Sequence, residues 1–150
     1  MRGFTQIVFA LSLPLWLGAC SPNTGMDFNA ILAKQVGKAN RIAIYRIDGT
    51  TPTEVGPKVY ESADRGEIES LFATVTFKER PLPYCKCFGD LRIELFDGPH
   101  TIAEISLHHG SCFRWKDGPF NKQAKMTDES QKRFERWLDD HHVSKAKSEE

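Results

Sequence analysis

Apolar and polar positions alternate most clearly in two runs separated by a turn. Leu91, Ile93 and Leu95 alternate with Arg92 and Glu94, and Ala103, Ile105 and Leu107 alternate with Glu104 and Ser106. A period of two marks a strand with one buried face, and Asp97-Gly-Pro-His100 between the runs is turn chemistry. Pairing Leu95 with Ala103, Ile93 with Ile105 and Leu91 with Leu107 puts every apolar side chain on one face. A slip of one residue would expose the whole set, so the register is specified. Arg41-Ile-Ala-Ile-Tyr-Arg-Ile47 reads as an earlier strand and residues 58–61 as a short one. Residues 74–78 alternate into a further strand broken by Pro81 and Pro83, and residues 111–115 follow the hairpin as another.

Three segments carry helical spacing instead. Phe28, Ile31, Leu32 and Val36 form one apolar stripe, with Asp27 placed to cap it and Gly37 to stop it. Asp64-Arg-Gly-Glu67 has the form of a capping box, after which Ile68, Leu71, Phe72 and Val75 share a face. Thr127 with Asp128 and Glu129 opens a last helix whose stripe is Phe134, Trp137, Leu138 and His141. The expected fold class is α+β, a small antiparallel sheet with a central hairpin and helices packed on one face. Leu91, Ile93, Leu95, Ile105 and Leu107 would meet Leu71, Phe72, Phe134, Trp137 and Leu138 in its core.

The first twenty residues change the picture of where the chain works. Arg2 precedes the apolar run Ile7-Val-Phe-Ala-Leu-Ser-Leu-Pro-Leu-Trp16, too short for the roughly 20 residues a spanning helix needs. Leu17-Gly-Ala-Cys20 then resembles the lipobox of bacterial lipoprotein signal peptides. That resemblance implies cleavage before Cys20 and acylation of its sulfur, giving a stable membrane anchor once two or more chains are attached. Ser21 after the cysteine implies the outer membrane, facing the periplasm, in a Gram-negative cell. The expected organisation is a signal peptide over 1–19 and a lipidated cysteine with tether over 20–26. A single domain then spans 27–143, followed by a charged tail over 144–150.

Composition narrows the function classes. The chain holds 20 basic and 20 acidic residues, and removing the signal takes away only Arg2 among them. A nearly neutral protein has no broad basic field for nucleic acid. Gly-x-Ser-x-Gly, His-Glu-x-x-His and Gly-rich phosphate loops are all absent from the sequence, so it reads as a non-enzymatic binding module of the cell envelope. Its expected partners are the membrane through the lipid anchor and an envelope protein or cell-wall material.

Chemistry concentrates at one end of the hairpin. Of four cysteines, Cys20 is assigned to lipid, which leaves Cys85, Cys87 and Cys112. The envelope favours disulfides, and a bridge from Cys112 to Cys85 or Cys87 is the expected pairing. Strict alternation places Cys112 on the opposite face from both, so Gly89 or Gly110 would have to host a bulge that flips the alternation. The alternative is a zinc or copper site built from Cys85, Cys87, Cys112 and His108 or His109, all soft or borderline ligands. Residues 84–142 also resemble a pattern in uncharacterised bacterial proteins: Cys-x-Cys-x-Gly-Asp, then His-His-Gly, Arg-Trp and a Trp-Leu helix. Here these are Cys85, Cys87, Gly89, Asp90, His108, His109, Gly110, Arg114, Trp115, Trp137 and Leu138; the resemblance implies no activity. Asp90 reads as a turn or cap residue, Trp115 as core with Arg114 snorkelling beside it, and His141-His142 as ligands of exposed helix carbonyls.

Overall fold

The computed structural model describes residues 27–47, 55–78, 82, 85–116 and 123–143. The signal peptide, Cys20, the tether, Pro81, Pro83 and the charged tail lie outside them. The domain is α+β. Three helices, α1 (Phe28–Val36), α2 (Arg65–Ala73) and α3 (Asp128–Asp140), accompany six strands: β1 (Arg41–Arg46), β2 (Lys58–Ser62), β3 (Leu91–Asp97), β4 (His100–His108), β5 (Cys112–Lys116) and β6 (Gln123–Lys125). The strands form one sheet in the order β2-β1-β3-β4-β5-β6, every neighbouring pair antiparallel.

The central hairpin has the register that its apolar alternation requires. Leu91 opposes Leu107, Ile93 opposes Ile105 and Leu95 opposes Ala103, with a bulge after Leu95. These side chains join Ile42 and Ile44 of β1 and Phe113 and Trp115 of β5 on one buried face. Phe28, Leu32 and Val36 of α1, Ile68, Leu71 and Phe72 of α2, and Phe134, Trp137 and Leu138 of α3 complete the same cluster. Every residue expected in the core is buried.

The helix ends follow their sequence signals with one exception. Asp27 accepts from the amides of Asn29 and Ala30, Asp64 from those of Gly66 and Glu67, and Thr127 from that of Ser130. The exception is the capping box. Glu67 does not return to the Asp64 amide, which bonds Ser62 Oγ instead. Its carboxylate accepts from Tyr60 at 3.2 Å and lies 2.8 Å from His141 Nε2, tying α2 to β2 and to the end of α3.

Residues 74–78 do not form the expected strand. Phe77 makes an isolated bridge to Met126, and the Thr76 and Phe77 amides bond Ser130 Oγ and Asn29 Oδ1. Alternation there reflects burial of Val75 and Phe77; the pairing stops at one bridge, with Lys78 N–H donating to Lys125 O and Thr127 N–H to Thr76 O, while side chains accept from the Thr76 and Phe77 amides. Strand β6 was not foreseen. Its three residues carry no periodicity to read, yet they pair with Cys112, Phe113 and Arg114.

The sheet's other face carries the polar partners of the core positions. Arg92, Glu94, Glu104 and Lys116 make a chain of ion pairs there. One step toward the hairpin end, Ser106, Arg114 and Gln123 stand in a row across β4, β5 and β6.

Candidate metal centre

The site begins with a glycine. Gly89 has φ +100°, and a Cβ there would lie 2.7 Å from the Leu107 carbonyl oxygen. Only glycine fits that backbone conformation so close to a neighbouring strand. Beyond it, toward the N-terminus, residues 85–89 leave the line of β3 and have no regular strand structure. They bring Cys85 and Cys87 to the row formed by Ser106, Arg114 and Gln123. Across the hairpin, His109 (φ 52°) and Gly110 (φ 62°) turn β4 into β5. Asp90 ties the two bends together, because its Oδ2 accepts from the Gly110 amide at 2.9 Å and its amide donates to Leu107 O at 2.7 Å. It is the turn residue that its position implied.

Both sulfurs converge on one imidazole. His108 Nδ1 lies 3.0 Å from Cys87 Sγ and 3.6 Å from Cys85 Sγ, and donor atoms of Cys85, Cys87 and His108 all fall within 4.8 Å of one another. The ring is wholly buried. Its other nitrogen, Nε2, is 2.7 Å from Ser106 Oγ. With Nε2–H donating to that hydroxyl, the Nδ1 lone pair is the one that faces the sulfurs. Burial, then the positive charge of Arg114 and the neighbouring His109, lower the His108 pKa to about 4, so the neutral ring is the form that persists near neutrality.

The sulfurs also collect hydrogen-bond donors. Gln123 Nε2 donates to Cys85 Sγ at 3.0 Å and Arg114 Nη2 at 3.3 Å. Arg114 also donates to the carbonyls of Cys85, at 2.7 Å, and Cys87, at 3.4 Å, so one guanidinium clamps the whole Cys-x-Cys segment onto the sheet. Arg114 therefore does not snorkel as its place beside Trp115 implied. Alternation turns Trp115 into the core and Arg114 onto the opposite face, where the cysteine segment covers it.

Cys85 and Cys87 are in disulfide contact with each other, their Cα atoms 5.5 Å apart. Cys112 is not their partner. It is buried, its thiol is free, and it lies outside the three-residue donor group. Gly89 and Gly110 both have positive φ, but Gly89 precedes β3 and Gly110 lies in the turn between β4 and β5, so neither is a bulge within a strand. They bring Cys85 and Cys87 against His108, whereas Cys112 opens β5 opposite His108 and Lys125, its sulfur 3.6 Å from Ser111 Oγ. His109 is exposed and reaches only Cys87, with Nε2 at 3.2 Å from the sulfur. His141 bonds the Trp137 carbonyl at the end of α3, as expected of a histidine at a helix C-terminus.

Ser106, Arg114 and Gln123 were missed as members of the site. Alternation alone places Ser106 and His108 on one face of β4, and Arg114 follows from the next strand. Nothing in the sequence points to Gln123, because β6 itself is unmarked. No protein-family model, curated protein or solved structure matches the chain. The local chemistry is that of two cysteines and a neutral imidazole gathered by a covering loop, a group able to hold a metal ion once the Cys85–Cys87 contact is reduced to two thiols.

Proposed function

We propose that this chain is a membrane-anchored envelope lipoprotein that binds a soft metal ion, zinc or cuprous copper, through Cys85, Cys87 and His108. The anchor rests on the lipobox at Cys20, and the binding is non-catalytic. The observation that carries the metal reading is the three-donor group itself, with the His108 ring oriented by Ser106 at its far nitrogen. Ligand histidines ordinarily have their second nitrogen held in this way, which fixes the tautomer and the ring plane. In the reduced protein the two sulfurs would separate to roughly 3.8 Å, the spacing of two thiolates on one zinc ion.

The test is titration of the reduced, metal-stripped chain with zinc and, separately, with cuprous ion against a competing chelator. One equivalent should bind, and Cys85→Ser, Cys87→Ser and His108→Gln should each abolish tight uptake while Cys112→Ser leaves it intact. Uptake that survives the first three substitutions, or no uptake by the reduced wild-type chain, would overturn the proposal. Retention of an envelope protein by the oxidised, metal-free domain would favour a protein-binding module instead.

A further inference from the structure

Cys85 and Cys87 are in disulfide contact within a half-exposed segment that has no regular strand structure. Arg114 anchors that segment through the carbonyls of both residues, so joining or separating the sulfurs leaves this anchor in place. Partly exposed cysteines so placed are the ones that exchange with other thiols. We infer that the pair is a thiol–disulfide exchange centre whose partner is a polypeptide carrying two cysteine thiols beside apolar residues, with Cys87 the sulfur attacked. This activity goes beyond metal binding and does not rest on it.

The surface around the pair points to the class of partner. Among the described residues three large apolar side chains are exposed, Val55, Leu82 and Phe88. Two of the three flank the sulfurs. Phe88 follows Cys87 directly. The Leu82 amide donates to the Gln123 carbonyl at 2.9 Å, and the Gln123 side chain reaches Cys85 Sγ. Exposed apolar side chains beside exchanging sulfurs match the apolar neighbours of cysteines in an unfolded or flexible chain, which a small hydrophilic thiol lacks.

The two sulfurs differ in their surroundings, and that sets the direction of attack. Cys85 Sγ accepts from Gln123 Nε2 at 3.0 Å and from Arg114 Nη2 at 3.3 Å, bonds that strengthen as negative charge develops on that sulfur. Cys87 stands between exposed Lys86 and Phe88 and beside exposed His109. A partner thiolate therefore attacks Cys87 Sγ. A new S–S bond forms as the Cys85–Cys87 bond breaks, and the electron pair leaves on Cys85. The partner's second thiolate then attacks the partner sulfur of the mixed disulfide, and the electron pair leaves on Cys87. Two electrons pass from the partner to the pair, and the protons its thiols gave to water return from water to Cys85 and Cys87. A small disulfide such as oxidised glutathione restores the pair by the same exchange in reverse.

The experiment uses the full chain in mild detergent with a chelator present, so that no metal competes for the sulfurs. Oxidised glutathione should convert the pair to a disulfide that mass spectrometry maps to Cys85 and Cys87. The oxidised chain is then mixed with synthetic peptides of two cysteines each, one peptide with leucines beside them and one with serines. The leucine peptide should be oxidised about tenfold faster or more, the gain expected from covering a modest apolar area. Replacing both flanking side chains, Leu82→Ser with Phe88→Ser, should bring that preference within about twofold while the rate with dithiothreitol is kept. The wild-type comparison needs no variant and decides the partner class alone. With the disulfide form of the leucine peptide, Cys85→Ser should form a mixed disulfide at Cys87, and Cys87→Ser should form one at Cys85 about tenfold more slowly or less. Equal rates for the two peptides, a preference unmoved by the double variant, or faster trapping at Cys85 would overturn the inference. So would a pair that stays as two thiols in oxidised glutathione, a result that leaves the metal site standing. If exchange proceeds but the reduced chain takes up neither zinc nor cuprous ion, the metal reading falls alone.

Discussion

Phe113→Ala is the perturbation whose cost can be worked out most directly. Phe113 is 0% exposed and lies opposite Leu107 on β4 and Ala124 on β6. Its ring meets Phe77 and Phe134 edge-on, each at a centroid distance of 5.5 Å. It therefore joins the sheet to α3 and to the segment after α2, which is otherwise paired only through the bridge of Phe77 to Met126. Truncating a buried phenylalanine costs about 3–5 kcal/mol through lost burial and the cavity left behind. Edge-to-face pairs contribute about 0.5–1.5 kcal/mol each beyond burial, part of it already within that range. Partial collapse at the β6 edge offsets some of the loss, so about 4 kcal/mol is expected. Against a typical total of about 5–15 kcal/mol for a domain, the variant should fold but unfold at much lower urea. Equilibrium urea denaturation followed by tryptophan fluorescence reads the change, with Phe113→Leu as a milder control at under about 1.5 kcal/mol. A loss below about 1 kcal/mol for Phe113→Ala with an unchanged m-value would refute the view that this ring links the three elements.

Further outcomes test the turn, the anchor and the buried histidine. Gly89→Ala should destabilise the fold by about 1–3 kcal/mol and weaken metal uptake, since φ +100° and the Leu107 carbonyl at 2.7 Å both oppose a side chain; full stability in urea would contradict the close approach. Cys20→Ser should leave an unprocessed precursor without acyl chains, seen by mass spectrometry; a wild-type chain that stays in the aqueous phase of a detergent partition would remove the anchor. The folded pKa of His108 is depressed from 6.5 to about 4, so the unfolded chain binds the extra proton between those values. The metal-free protein should keep this contribution in full above pH 6.5 and lose it as pH falls toward 4, by at most about 3 kcal/mol. Urea titrations across that window should show the slope, and His108→Gln should flatten it.

Local periodicity was enough to specify the hairpin and the core. Leu91, Ile93 and Leu95 share a face with Leu107, Ile105 and Ala103, a one-residue slip would undo that, and pairing them in order across the turn gives the observed register. The caps Asp27, Asp64 and Thr127 were equally legible, because a cap depends on residues within one turn. What could not be read were choices made by distant partners. Glu67 had a local acceptor role open to it, but Tyr60 and His141, brought near by folding, took the carboxylate instead. Residues 74–78 alternate as a strand does, yet the acceptors for the Thr76 and Phe77 amides are side chains of Ser130 and Asn29, distant in sequence.

The candidate site shows the same division more sharply. Cys85, Cys87 and His108 were each visible as soft ligands, and the two glycines were visible as places where alternation could fail. Which sulfurs would meet depended on the direction of two backbone departures. Gly89 turns the cysteine segment across the face that carries Ser106, His108, Arg114 and Gln123, while His109-Gly110 returns the chain at once into β5. Cys112 is thereby locked into a ladder beside His108, with its amide partners set by β4 and β6, and a strand residue has little freedom to reach toward a loop. Cys85 and Cys87, outside any ladder, are free to be positioned by side chains, and Arg114 does so through the carbonyls of both. The residue that decides where the thiols sit is thus neither a cysteine nor a histidine. An arginine at an outward strand position acts here as a clamp on the cysteine segment, so Arg114→Ala should loosen residues 85–87 although it alters neither sulfur nor imidazole.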